Sequence, residues 1–234
     1  MIFLRRNAKL RPLLGMLRQQ RGQGDIALTT DARVVISMAA LFEDDLPGAA
    51  AVIADMREIL DPAATGFAAF ELGAGANLLA FHALGLGDTD AAHRFLVFAQ
   101  SHNERADAAF SSAYTTAVGG MACLLAARPR QALRSLGANE RQNGRPAGEM
   151  ASAALAACRI WAAYETNALD NVERLAEQFG DQITRAAIPD FIAVALMAIA
   201  RMQAARGNVE RAYVTLDKLD RIAFDSSLSA PDEL

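Results

Sequence analysis

Apolar residues recur at three- and four-residue intervals along most of the chain, and short polar turns interrupt them. That spacing is typical of helices that bury one face. The turns contain Gly, Asn or Asp and join the helices into pairs. The predicted first helices of the pairs are 31–43, 67–85, 106–126, 149–165 and 189–205. The predicted second helices are 47–60, 89–101, 129–138, 168–184 and 208–223.

The helix pairs recur at a nearly constant interval. A small residue early in each second helix aligns them, at Ala49, Ala92, Ala132, Val172 and Ala212, with intervals of 43, 40, 40 and 40. The residues twelve positions earlier are Ser37, Ala80, Gly120, Ile160 and Ala200. The residues five positions earlier are Asp44, Gly87, Ala127, Asn167 and Gly207. The mostly small first set predicts close approach of the two helices in a unit, and the second set predicts a tight turn between them.

The composition favours helices over sheets. Ala accounts for 51 of the 234 residues, and aromatic residues make up only 6% of the chain. Ala loses no side-chain entropy in a helix, whereas sheets are rich in β-branched and aromatic residues. The longest uninterrupted apolar run, 191–200, has about half the length of a bilayer-spanning helix. We therefore expect an all-α protein without a membrane segment.

Charge and cysteine content narrow the function classes. The formal net charge is −4, so the chain as a whole has no basic field that would attract nucleic acid. The two cysteines, Cys123 and Cys158, are too few for a disulfide framework and fit a reducing cytoplasm. We expect a cytoplasmic protein.

The aligned small residues and turn residues of the helix pairs form a pattern that resembles the tetratricopeptide repeat (TPR). This repeat is a helix–turn–helix unit with a usual period of ~34 residues. The longer period here implies longer helices or longer links. The resemblance implies an all-α, right-handed TPR-like superhelix of about five helix-turn-helix units, forming a single domain over 1–234. The predicted parts are a truncated first unit 1–24, repeat units 25–62, 63–104, 105–145, 146–187 and 188–225, and a tail 226–234.

Three segments, 77–99, 162–179 and 195–223, resemble the sensor superhelix of MalT-like, LuxR-type bacterial transcriptional regulators. The most specific matches are the runs YETNALD at Tyr164–Asp170 and ARGNVERA at Ala205–Ala212. In that family the superhelix lies between a nucleotide-binding module and a C-terminal helix-turn-helix, and it binds a small inducer or partner proteins. The resemblance implies an effector- or partner-binding region that takes part in transcription regulation.

The chain departs from the complete architecture of that family. Neither Lys9 nor Lys218 follows a Gly, so the phosphate-binding P-loop is not present. The eleven residues after Ala223 are too few for a DNA-binding helix-turn-helix. We expect a sensor region alone, without direct nucleic-acid contact. The main alternative is a stand-alone TPR-like adaptor that mediates protein–protein interactions.

No motif typical of catalysis or metal binding is recognisable. The histidines are His82, His93 and His102, and their spacing does not place two on one helix face. Segment 73–75 begins a GxGxxG pattern but lacks its third Gly, and Asp88 and Asp90 stand where carboxylates cap helices. Cys123 and Cys158 are expected to be buried, unreactive thiols. We predict a protein that is not an enzyme and needs no cofactor or metal; an enzyme with an unrecognised site is the least favoured alternative.

The candidate binding surface is the concave groove that first helices line in a solenoid. The predicted groove residues are Asn77, Phe81, Tyr114, Met121, Trp161, Tyr164, Glu165 and Arg201. Aromatic walls with a few polar groups suit a small-molecule inducer, and a protein or peptide could use the same surface. We expect the aromatic members to form apolar contacts and Arg201 or Glu165 to orient the ligand. The structural alternative is that these side chains fill the gaps between neighbouring helices.

A second predicted surface is the apolar end of the truncated first unit. A solenoid that ends within a unit exposes apolar side chains there, which can bind a second copy of the chain. The side chains of that end are Leu10, Leu13, Leu14 and Leu17. We therefore predict a homodimer through this end as one mode of association.

Overall fold

A computed structural model describes residues 69–142 and 148–227. The predicted units 1–24 and 25–62, with the leucines of the proposed dimer end, lie outside the described residues, as does the tail from 228. The described part is all-helical and contains eight helices and no strand. They are α1 (Ala69–Gly85), α2 (Thr89–Arg105), α3 (Ala109–Leu125), α4 (Pro129–Gln142), α5 (Glu149–Glu165), α6 (Leu169–Ala186), α7 (Pro189–Ala205) and α8 (Val209–Ser227). None of these helices is both long enough and apolar enough to cross a membrane.

Five tight turns between the described helices share one hydrogen-bond pattern. In the turn between α1 and α2, Gly87 has a φ of 77°, and the Asp88 backbone N–H donates to the Ala83 carbonyl at 2.8 Å. This is the Schellman arrangement, in which a left-handed residue closes the end of a helix. The left-handed residues of the other four turns are Asp107, Ala127, Asn167 and Gly207. The prediction that positions 87, 127, 167 and 207 form the turns is therefore confirmed.

The second helices end later than predicted. The end predicted at 101 for the second helix 89–101 is wrong, because α2 continues to Arg105 and the turn follows it. In this stretch the Ser101 hydroxyl donates to the Phe98 carbonyl at 3.0 Å, and the Asn103 side chain is fully buried. The helices α4, α6 and α8 likewise run two to four residues beyond their predicted ends.

The described residues fall into two compact units, which meet in sequence between Ser111 and Ser112. In the first unit, α1 and α2 pack along each other, with Leu79, Ala80 and Ala92 in the buried interface. The two helices approach closely at Gly73, where a Cβ atom would lie only 2.0 Å from Asn103 Oδ1. The organisation of 1–234 as one domain remains a prediction.

In the second unit, α5 packs against α4, α6 and α7, and α7 also packs against α6 and α8. The largest fully buried side chains here are Leu136, Ile160, Val172, Ile183 and Phe191. A Cβ atom on Gly120 would lie 3.0 Å from Leu136 Cδ2, so α3 and α4 approach closely, as its small-residue position predicts. Arg206, at the end of α7, pairs with Asp170 and Glu173 of α6. This unit therefore combines a buried apolar core with ion pairs between helix ends.

Candidate functional site

The eight predicted groove residues are divided between the two units. Asn77 and Phe81 belong to the first unit, and the other six belong to the second. Four of the predicted residues occupy the thirteenth position of their helices: Phe81 in α1, Met121 in α3, Trp161 in α5 and Arg201 in α7. Their exposure differs nonetheless: Met121 is buried, Phe81 and Trp161 are half-buried, and Arg201 is exposed.

Asn77 is engaged inside the first unit. Its side chain is buried, and its Nδ2 donates to the Ser111 carbonyl at 3.0 Å and to the Ser111 Oγ at 3.1 Å. A buried amide with these partners ties α1 to the start of α3. This arrangement favours the structural alternative for Asn77 over ligand contact.

Tyr114 and Met121 of α3 face the interior of the second unit. The Tyr114 ring meets the Phe191 ring edge-on, with centroids 6.3 Å apart and an interplanar angle of 81°. Its hydroxyl is buried, and burial raises the pKa of the Tyr114 phenol above its ordinary value of 10.0. Met121 is 6% exposed. Both side chains therefore serve the packing between α3 and its neighbours.

Of the other five residues, Phe81 is half-buried on α1, and the remaining four are accessible and lie on two helices that pack side by side. Trp161, Tyr164 and Glu165 are on α5 and Arg201 is on α7. The Trp161 Nε1 donates a 3.1 Å hydrogen bond to Glu165 Oε1 one turn away. Trp161 and Tyr164 are half-buried, whereas Glu165 and Arg201 are exposed. We call these four residues the α5/α7 face; it offers two aromatic rings, a carboxylate and a guanidinium group.

The thiols differ from each other in their environment. Cys158 is fully buried, and its Sγ donates to the Ala117 carbonyl at 3.3 Å. Burial raises the pKa of this thiol above its ordinary value of 9.0, with smaller opposing contributions from Arg159 and a backbone hydrogen bond from Met121. Cys123 is only half-buried, so the prediction of a buried thiol is wrong at this position. Burial raises the pKa of Cys123 as well, and the nearby Arg128 opposes the shift.

Acidic and histidine side chains near α2 have local structural roles. Asp88 caps α2 as predicted, since its Oδ1 accepts from the Ala91 backbone N–H at 2.9 Å. The His102 ring stacks on Phe98 with centroids 4.1 Å apart, and its Nδ1 lies 3.0 Å from the Phe98 carbonyl oxygen. Within 69–142 and 148–227, no group of three or more His, Cys, Asp or Glu side chains is arranged to hold a metal ion.

A cleft that the sequence-based prediction missed lies in the second unit, among α4, α5 and α6. It has a volume of about 380 Å³, and none of the eight predicted residues lines it. Its polar lining comes from Arg159 of α5 and from Asn171, Arg174 and Gln178 of α6. One feature of the sequence could have indicated it: 171, 174 and 178 have the spacing of one helix face.

The second unit therefore presents two polar surfaces, the α5/α7 face and the cleft beside α6. Both combine aromatic or apolar side chains with charged groups, which is the chemistry of binding sites. No protein-family model, no curated protein and no solved structure matches the chain.

Proposed function

We propose that the chain is a non-catalytic binding module, a TPR-like right-handed superhelix that senses a small inducer or a partner protein. One observation carries the proposal: each of the eight described helices begins twenty residues after the one before it. This spacing supports an alternation of first and second helices with a period of forty residues. Each of the four described first helices is followed by a residue in the left-handed conformation at the same position of the repeat. These residues are Gly87, Ala127, Asn167 and Gly207.

The α5/α7 face is the proposed binding surface. Stacked helix pairs use the surface of their first helices to bind ligands, and α5 and α7 are first helices in this register. Trp161 and Tyr164 supply apolar contact area with a polar edge, which suits both small molecules and peptides. Arg201 and Glu165 are exposed and can orient a polar ligand.

The biological setting that we propose is a MalT-like, LuxR-type transcriptional regulator. Support for it comes from the sequence runs Tyr164–Asp170 and Ala205–Ala212, which resemble that family. Both runs lie at turns that follow first helices, the former between α5 and α6 and the latter between α7 and α8. The coding sequence on both sides of this segment tests the setting directly. An in-frame P-loop upstream and a helix-turn-helix downstream would support the regulator, and their absence would favour the stand-alone adaptor.

Trp161 makes the binding proposal measurable, since it is the only tryptophan of the chain. A panel of metabolites is titrated while the emission of Trp161 and the melting temperature are followed. A sensor gives a saturable change in both, because a ligand that binds only the folded state stabilises it. Arg201→Ala should abolish the response, and Arg211→Ala, at an exposed arginine on α8, should not.

The adaptor alternative predicts a different result. No metabolite then alters the melting temperature, but a protein partner binds the wild-type chain and fails to bind the Trp161→Ala, Arg201→Ala double variant. Circular dichroism of that double variant separates the two roles of these residues. Loss of the fold would assign them to the core and would overturn the proposed surface.

A further inference from the structure

The cleft among α4, α5 and α6 has the dimensions of a ligand site. Its volume of about 380 Å³ lies at the lower end of the range for small-molecule pockets, about 300–1,000 Å³. All three helices belong to the second compact unit. The cleft is lined by residues other than those of the α5/α7 face, so the following inference stands independently of the proposed function.

Arg174 gives the cleft its charge. This side chain is exposed, and its guanidinium group donates to Asn171 Oδ1 at 2.6 Å and to Gln178 Oε1 at 3.5 Å. Both partners are neutral amides on α6, so they orient the guanidinium group without neutralising it. No Asp or Glu lines the cleft among the residues that the structure describes. The positive charge is therefore available to a ligand.

The setting of Arg174 differs from that of three arginines in the second unit that pair with carboxylates. Arg185 pairs with Glu149, and Arg221 pairs with Asp217. Arg206 also pairs with carboxylates, those of α6. An arginine that is oriented by amides and faces a cleft is a common arrangement for binding carboxylate or phosphate groups, because the planar guanidinium can donate two parallel hydrogen bonds.

Arg159 adds a second guanidinium to the lining, from α5. Its Nη2 donates to the Leu136 carbonyl of α4 at 3.0 Å, which fixes the side chain across the cleft. The remaining lining is mostly apolar and includes Leu136, Leu175 and Phe179. Leu136 and Leu175 are buried, whereas Phe179 is half-buried and can contact a ligand. The cleft thus joins a cationic edge to an apolar wall.

From this arrangement we propose that the cleft binds a small organic anion, with its carboxylate or phosphate group on Arg174 and its apolar body against Phe179. Arg159 is a positioning residue that holds the α4 side of the cleft through Leu136. The ligand class follows from the two halves of the lining: a purely apolar molecule leaves Arg174 unused, and an inorganic anion leaves the apolar wall unused. Carboxylate and phosphate share the required chemistry, and the test distinguishes them.

The test uses three probes of similar shape: 3-phenylpropionate, phenyl phosphate and the neutral 3-phenylpropanol. Calorimetric titration of the full chain at low salt should detect one or both anions and not the alcohol. Arg174→Gln should weaken anion binding by about tenfold or more, since it removes a charge-assisted contact. Because Arg174 is exposed, this variant should keep the wild-type melting temperature. The anion that binds more tightly identifies the preferred head group.

Two control variants locate the site. Arg211→Gln removes an exposed charge on α8, outside the cleft, and should bind the probes as the wild type does. Arg201→Ala alters the α5/α7 face and should also leave probe binding unchanged, which separates this site from the proposed groove. The proposal is overturned if the wild type binds neither anion at millimolar concentrations. Equal binding of the neutral alcohol, or wild-type affinity in Arg174→Gln, would overturn it as well.

Discussion

Trp161 and Glu165 lie one turn apart on α5, and the indole Nε1 donates a 3.1 Å hydrogen bond to the carboxylate Oε1. The indole is half-buried and the carboxylate is exposed, so the bond holds the ring in one orientation at the surface. A side chain that is already oriented loses less conformational entropy when a ligand binds. The pair is therefore a preorganised part of the α5/α7 face.

Replacing Glu165 by Ala should loosen the indole. Without its acceptor, Trp161 samples more rotamers and becomes more accessible, so acrylamide should quench its fluorescence more efficiently than in the wild type. The free energy of unfolding should change by less than about 1 kcal/mol, because the lost bond is exposed to solvent. Glu165→Gln keeps an oxygen acceptor and should retain wild-type quenching. Equal quenching in all three proteins would show that the hydrogen bond does not orient the ring.

Gly73→Ala should destabilise the first unit. The new Cβ atom would meet Asn103 Oδ1 at 2.0 Å and the Asn103 backbone nitrogen at 3.3 Å, and Asn103 is fully buried. Forcing such an overlap in a packed interface raises the energy of the folded state, so the free energy of unfolding should fall by about 1–3 kcal/mol in chemical denaturation.

Gly180→Ala is the matched control for the same chemical change. Gly180 lies inside α6, and a Cβ atom there meets nothing within 4 Å. With no steric conflict, the better helix propensity of Ala should stabilise the protein by about 0.5–1 kcal/mol. If both variants shifted stability in the same direction, the close approach of α1 and α2 at Gly73 would be refuted.

Local sequence features predicted the helices and their turns well. Pro189 begins α7 as expected, because its fixed φ suits the first helical position. Gly87, Asn167 and Gly207 tolerate a left-handed conformation, so the turns could be placed without knowledge of the fold. The ends of the second helices could not be placed in this way. Asn103, near the end of α2, has its side chain buried close to Gly73 of α1, and this contact between helices is one that no local pattern reveals.

The candidate sites were harder to predict, since they depend on which helices pack together. Tyr114 looked like a groove residue but its ring packs against Phe191, which is distant in sequence. The cleft was missed because Arg159 and Arg174 come from different helices and converge only through the packing of α4, α5 and α6. The predicted groove contained first helices alone. It therefore did not include α6, which supplies most of the polar lining of the cleft.

Ala127→Gly should stabilise the protein. Ala127 has a φ of 54°, a left-handed conformation in which a Cβ atom costs about 1–2 kcal/mol and glycine has no such penalty. The gain in unfolding free energy should be about 0.5–1 kcal/mol, because the greater freedom of glycine in the unfolded chain offsets part of the effect. At Gly207 a Cβ atom has open space but φ is 79°, so Gly207→Ala should lower the free energy of unfolding.

The neighbouring Ala126→Gly serves as the control for this turn. Ala126 is exposed and its φ is not positive, so glycine there only adds freedom to the unfolded chain and should lower stability. Thermal or denaturant unfolding of the three variants gives the comparison. If Ala126→Gly raised the free energy of unfolding as much as Ala127→Gly does, the inference of backbone strain at position 127 would be wrong.

Cys158 should make the stability of the protein fall at alkaline pH. Burial raises the pKa of its thiol in the folded state, while in the unfolded chain the pKa stays near 9.0. Above that pH the unfolded state releases a proton that the folded state keeps, so unfolding becomes more favourable as the pH rises. The contribution of the Cys158 thiol to the free energy of unfolding is fully present below about pH 9. Above pH 9 this contribution declines by about 1.4 kcal/mol per pH unit.

Denaturant unfolding between pH 7 and pH 10 measures this slope. Cys158→Ala removes the titrating group and should flatten the curve above pH 9, even though it lowers stability throughout by leaving a small cavity. Cys123→Ala is the matched control, because that thiol is half-buried and its replacement should flatten the curve less.

The burial of Cys158 also predicts the order in which the two thiols react. A thiol reagent should modify Cys123 first in the folded protein and should reach Cys158 only on unfolding, because the thiolate is the reactive form. Modification of both thiols at equal rates under native conditions would contradict the closed environment of Cys158.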